Sequence, residues 1–234
     1  MRPRHFRFFP QLILASSLAL PSALAFGGQT IGVSSTSRTV KGHTLHSDKL
    51  PAADLAFGEQ YRYLGTQVVN LYGNAEAEQH AFAVIAPDGS IRSLYWVQFE
   101  HFLPTNKMTY DYDLKGRTEI GGVPFVYDVK SFAEYATMQN EDPASDGAAL
   151  GRLLATQHLA FPQRVARARM FHLPTPDHRT ELMIIYVEEV PLDSNIPLKK
   201  EGVILGDVSP ESANAIVTHA LQGLTIRNYN KPKS

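Results

Sequence analysis

From Leu55 onward the chain is a series of short apolar or alternating runs bounded by turn formers, the pattern of β-strands. The runs are Tyr61 to Tyr72, His80 to Ala86, Ile91 to Phe102, Met108 to Asp113 and Thr118 to Asp128. Pro87-Asp88-Gly89-Ser90 separates the second from the third and is the clearest turn signal in the chain. It predicts a hairpin with Phe82 opposite Tyr95 and Ala81 opposite Trp96. Alternation along the third run puts Tyr95, Val97, Phe99 and His101 on one face and Leu94, Trp96, Gln98, Glu100 and Phe102 on the other. Both faces are largely apolar, which suits a central strand covered on both sides.

Between Ser131 and Phe161 the period changes to a helical one. Phe132, Tyr135, Ala136 and Met138, then Leu150, Leu153 and Leu154, predict two helices broken by Asn140-Glu141-Asp142-Pro143. Arg164 to Leu173 and Glu181 to Val190 read as a second hairpin. Ser209-Pro210-Glu211 opens a last helix, with Ser as N-cap and Pro at the first helical position, and Gly223 closes it. Strands with helices inserted and appended, without βαβα alternation, predict an α+β fold. The expected form is one domain over residues 55–228, a mainly antiparallel, twisted or barrel-like sheet carrying two inserted helices and a C-terminal helix. Residues 26–54, rich in Gly, Ser, Thr, Lys and His, read as a flexible leader, and 229–234 as a tail.

The first 25 residues carry Arg2, Arg4 and Arg7, an apolar run from Leu12 to Leu20 interrupted only by Ser16 and Ser17, and the triplet Ala23-Leu24-Ala25 after Pro21. This is the layout of a secretory signal peptide, with cleavage expected after Ala25 and a periplasmic or secreted destination. The run is roughly half the ~20 residues that span a bilayer, and no later run is longer, so no membrane span is expected in the mature chain. No Asn-x-Ser/Thr acceptor occurs, which favours a bacterial source. Cleavage leaves 19 basic and 23 acidic residues, a balance that does not steer the protein to nucleic acid.

With no cysteine, thiolate catalysis, disulfides and Cys-based metal sites are excluded. Gly-x-Ser-x-Gly, Ser-x-x-Lys, His-Glu-x-x-His, Gly-x-Gly-x-x-Gly and the Walker loop are all missing. Asp111 to Gly116 starts like a calcium loop, but Lys115 stands where an oxygen ligand is required. His43 and His46, with Asp48 nearby, could offer two imidazoles and a carboxylate to a divalent metal, although a solvated leader lacks the fixed geometry. If the run Met108 to Asp113 pairs with Ile91 to Phe102, Glu100 falls opposite Asp111. Two facing carboxylates raise one pKa and could serve as a general acid or hold a hard metal. Arg164, Arg167 and Arg169 face Glu181, Glu188 and Glu189 as expected cross-strand ion pairs, with an anion-binding patch as their other use.

The expectation is a soluble exported envelope protein that binds a small apolar molecule or an envelope partner without catalysis. Tyr95, Trp96 and Gln98 are the expected ligand-binding residues, and no cofactor is implied. The alternatives are a hydrolase using Glu100 and Asp111, metal-assisted or not, and an accessory factor acting through protein–protein contact.

Overall fold

The computed structural model describes residues 37–140, 142–192, 194, 196, 198 and 208–230. The expected signal peptide, residues 26–36 of the expected leader and residues 231–234 lie outside them. Among the described residues, eleven strands form two sheets, both antiparallel. The larger has the order β4-β5-β6-β10-β9-β8-β7, from β4 (Arg62–Leu71), β5 (Ala75–Ile85), β6 (Ile91–Phe102), β7 (Gly116–Ile120), β8 (Val123–Phe132), β9 (Val165–His172) and β10 (Thr180–Glu189). It is open, with β4 and β7 at its edges, so among the described residues the expected barrel-like closure does not occur.

The predicted β5/β6 hairpin forms in the expected register, Phe82 opposite Tyr95 and Ala81 opposite Trp96. The predicted β9/β10 hairpin forms as well. Thr118 to Asp128 is two strands rather than one, because Gly121 and Gly122 take positive φ and turn the chain between them. The expected strand over Met108 to Asp113 does not form. The free side of β6 is taken by β10, so residues 108–115 cross the sheet as an irregular strap. Its Tyr110 is buried and Tyr112 half-buried, which reproduces the alternation of a strand without its ladder.

The smaller sheet corrects the expected leader. Its order is β1-β2-β3-β11, from β1 (Thr39–Lys41), β2 (Thr44–Ser47), β3 (Ala52–Phe57) and β11 (Leu224–Asn230). Ala53, Leu55 and Phe57 alternate inward along β3, and Leu45 and Leu55 lose all exposure to solvent. The expected tail shortens too, since Tyr229 and Asn230 belong to β11. The helices α1 (Tyr135–Gln139), α2 (Asp146–Thr156) and α3 (Pro210–Gln222) lie where the sequence predicts them. Ser145 and Ser209 cap α2 and α3, accepting hydrogen bonds from Ala148 N and Ser212 N, and such caps are worth ~1 kcal/mol each. None of the described helices is long and apolar enough to cross a membrane.

Two apolar layers use opposite faces of the large sheet. The small sheet and α3 cover one face, with Leu55, Phe57, Phe82, Tyr95, Val97 and Ile216 in the layer. The other face lies under α1 and α2, with Leu94, Trp96, Phe132, Tyr135, Leu150 and Leu154 in the layer. The alternation of β6 serves both layers.

Candidate functional site

The face under α1 and α2 is where polar side chains collect. Strand register sets them in rows. One row runs Gln79, Gln98, Met183, Phe171, Val126; the next runs Ala81, Trp96, Ile185, Arg169, Asp128; beyond it lie Leu94, Val187, Arg167 and Lys130. At the far end Glu100 stands opposite Glu181.

Tyr95, Trp96 and Gln98 do not line an open surface together. Tyr95 faces the small sheet, 5.3 Å from Phe57 and 4.8 Å from Tyr61 between ring centroids, and its hydroxyl donates to the Ala220 carbonyl. Trp96 is 2% exposed on the opposite face, and its Nε1–H has no acceptor. Gln98 is fully buried in a polar chain: Gln67 Nε2 donates to Gln79 Oε1, Gln79 Nε2 to Gln98 Oε1 at 2.9 Å, and Gln98 Nε2 to Glu100 Oε2 at 2.6 Å.

The facing carboxyl pair expected from the sequence exists with a different second member. Asp111 lies exposed on the strap, and Glu181 of β10 faces Glu100. The hydroxyls of Tyr110 and Tyr112 donate to Glu100 and Glu181 respectively. Burial raises Glu100 to about 7 against the pull of the Tyr110 hydrogen bond. Burial, and then the Glu100 charge, holds Glu181 well above the usual carboxylate range. The pair therefore retains a proton near neutral pH. Because these folded-state values lie above the unfolded ones, the pair's full stability is present below the ordinary glutamate pKa. It declines as pH rises through about 7. Glu181→Gln, which imitates the protonated form, is expected to be the more stable protein at pH 8 by ~1–3 kcal/mol, with the difference nearly gone at about pH 4, below the ordinary glutamate pKa. Urea midpoints at the two pH values check this.

On β9, Arg169 forms a two-point pair with Asp128, donating through Nε and Nη2. Burial works against the Asp128 carboxylate, but this pairing outweighs it and leaves its pKa below the ordinary value. Arg167, two residues away on the same face, has no ion-pair partner among the described residues, and its buried Nε has no acceptor. Its guanidinium lies 4.8 Å from the Phe132 ring centroid and 5.9 Å from that of Tyr135, whose buried hydroxyl interacts with it. Burial and then the like charge of Arg169 lower the Arg167 pKa. Asp146, first residue of α2, accepts from Gly147 N, and burial raises its pKa against the nearby arginines. The expected arginine–glutamate ladder does not form: Glu189 pairs with Arg92, Glu188 accepts from His219 and Tyr186, and Arg164 donates to backbone carbonyls.

His43 and His46 are engaged separately, His43 Nδ1 with the Tyr61 carbonyl and His46 Nδ1 with Asp54 at 2.7 Å. Among the described residues no group of three His, Asp or Glu side chains could hold a metal ion. An open cleft of about 480 Å³ lies beside Arg38, Glu78 and Glu100, but the buried groups at its floor are all partnered. Arg38 pairs with Glu78 at 2.8 Å, and His80 bridges Glu78 and the Tyr63 hydroxyl. The face under α1 and α2, with its orphaned donors, is the better candidate.

Glu181, Arg167 and Asp146 are the members of this face to which sequence reasoning gave the wrong neighbours or none. The available signal for Glu181 was β6 itself, since a strand apolar on both faces needs a second partner strand, and the run from Glu181 was the remaining long one. Comparison with known proteins adds no assignment: no protein-family model, curated protein or solved structure matches this chain.

Proposed function

We propose that the protein is an exported, non-catalytic binding module for a small molecule, and that its site is the polar face of the large sheet beneath α1 and α2. The observation that carries this reading is the pair of buried donors on that one face that have no acceptor among the described residues, Arg167 Nε and Trp96 Nε1. A buried donor without an acceptor costs about 1–3 kcal/mol, more when charged, so two of them kept on one face favour completion by something outside the chain. The aromatic side chains first expected to hold an apolar ligand are consumed by packing, which moves the site toward the polar residues. Export rests on the layout of residues 1–25.

Native mass spectrometry of the protein recovered from the cells that make it tests both parts. The expected spectrum is a chain starting at Phe26 with a small-molecule adduct that is released on denaturation. A chain still starting at Met1 overturns export, and a bare mass that stays bare after incubation with cell extract overturns the binding module.

The Glu100–Glu181 pair favours a second reading, a hydrolase with one carboxyl held protonated as general acid. In that case Glu100→Gln abolishes turnover of a substrate that still binds, whereas in a binding module it leaves ligand affinity within about threefold.

A further inference from the structure

We infer that the Arg167 site takes a small organic oxyanion, a carboxylate or phosphate ester carrying a flat apolar body, rather than a neutral hydrocarbon. This rests on the binding-module reading of the same face. Arginine stays protonated in proteins and has only donors to offer, and a guanidinium held away from water without a counter-charge is strongly unfavourable. Asp128, in the adjacent row, is already spent on Arg169, which grips it with two nitrogens. Asp146 of α2 is the other carboxylate near Arg167 and Arg169. The nearby Asp146 makes no ion pair with Arg167.

The second orphaned donor agrees with this requirement: the Trp96 indole can only donate, so it too calls for an acceptor. A hydrocarbon would leave both donors unmet, whereas an oxyanion supplies several lone pairs and a counter-charge for Arg167, in the forked geometry that arginine matches best. The flat body follows from the walls. Phe132 and Tyr135 lie beneath the guanidinium, and Phe171 lies 5.3 Å from that of Arg169. Leu150, Leu154 and Phe161 belong to the same layer. Arg167 and Arg169 are themselves only half-buried, so the row keeps an opening to solvent beside its closed-in atoms.

Trp96 is the only tryptophan of the chain, so its fluorescence reports directly on this face. The full chain is titrated with benzoate, phenyl phosphate, inorganic phosphate and benzyl alcohol. The expected result is a saturable change with benzoate or phenyl phosphate, the tighter of the two identifying the oxyanion, and at least tenfold weaker binding of inorganic phosphate and benzyl alcohol. Arg167→Gln is expected to weaken the better ligand at least tenfold, and Arg167→Lys, which keeps the charge without the fork, by less. The unliganded Arg167→Gln protein should melt no lower than the wild type, since an empty anion site is relieved of an unpaired cation; a clearly lower melting temperature assigns Arg167 a purely structural role and overturns the site. Benzyl alcohol binding as tightly as benzoate overturns the oxyanion while leaving the binding module standing. No response to any probe from a protein that carries a native adduct likewise overturns only the ligand class, and no response together with no adduct overturns both.

Discussion

Glu78→Ala is expected to destabilise the protein by about 3–5 kcal/mol, the loss typical of breaking a buried charge pair from one side. Glu78 is a hub. It accepts from Ser37 N, Ser37 Oγ, Arg38 N, the Arg38 guanidinium and His80 Nε2, and its side chain is only 8% exposed. Alanine would strand Arg38, 7% exposed and stacked 3.6 Å over the Phe99 ring, together with two backbone N–H groups that lead into β1. Glu78→Gln should lose less, since it keeps the shape and one acceptor. The pH dependence has a definite sign. Burial acts to raise the Glu78 pKa, but the hydrogen bonds from His80 and Ser37 and the charge of Arg38 prevail and hold it at about 2. Its contribution is therefore complete above the ordinary glutamate value and is lost as pH falls toward 2. Between pH 4 and pH 3 the urea midpoint should fall steeply in the wild type and more gently in Glu78→Gln. A midpoint for Glu78→Ala within experimental error of wild type at pH 7 would contradict this account. Since the Glu100–Glu181 pair loses its contribution above the ordinary glutamate value and Glu78 loses its own below it, these two sites together place the stability maximum near that value, at about pH 4–5.

The second large effect is expected at Phe82. This ring has no exposure, stacks on Phe57 of β3 at 3.9 Å between centroids, and meets Tyr63 at 4.9 Å. It is the point where the small sheet is keyed into the large one. Truncation to alanine removes the ring's transfer energy and leaves a cavity that two rigid sheets cannot fill, for a loss of about 3–5 kcal/mol. Phe82→Leu conserves most of the volume and should lose under ~1.5 kcal/mol. Equilibrium unfolding measures both, and hydrogen exchange locates the damage: amides of Ala53, Leu55 and Phe57 should exchange faster in Phe82→Ala than in wild type. Uniform acceleration across β8 and β9 instead would mean that the two sheets unfold together.

The parts of this fold legible in the sequence are those set by neighbours along the chain. Pro87-Asp88-Gly89-Ser90 defines the β5/β6 turn and with it the register down to Phe82 and Tyr95. The Ser209-Pro210 start and Gly223 end of α3 are likewise local signals. What was not legible depends on partners far away. Residues 39–54 read as part of a leader because Gly, Ser, Thr and His dominate their beginning, and their strand character emerges only when β11 arrives to pair with β3. The strap over residues 108–115 imitates a strand because Tyr110 and Tyr112 both turn toward the sheet from an irregular backbone. For the site, the facing carboxyls were predictable in kind, since Glu100 lies on an apolar face and needs a partner; the identity of that partner followed strand order, which periodicity does not encode.

The pairing of β3 with β11 also dictates a sequence of events. Leu55 meets Ile226 and Phe57 meets Leu224, contacts that span most of the chain. A nascent polypeptide cannot complete the small sheet until its last strand has been synthesised, and contacts of such separation form slowly because a long loop must be closed first. A chain interrupted before Leu224 would leave β3 with a bare hydrogen-bonding edge beside Leu45 and Phe57, an invitation to pair with another incomplete copy.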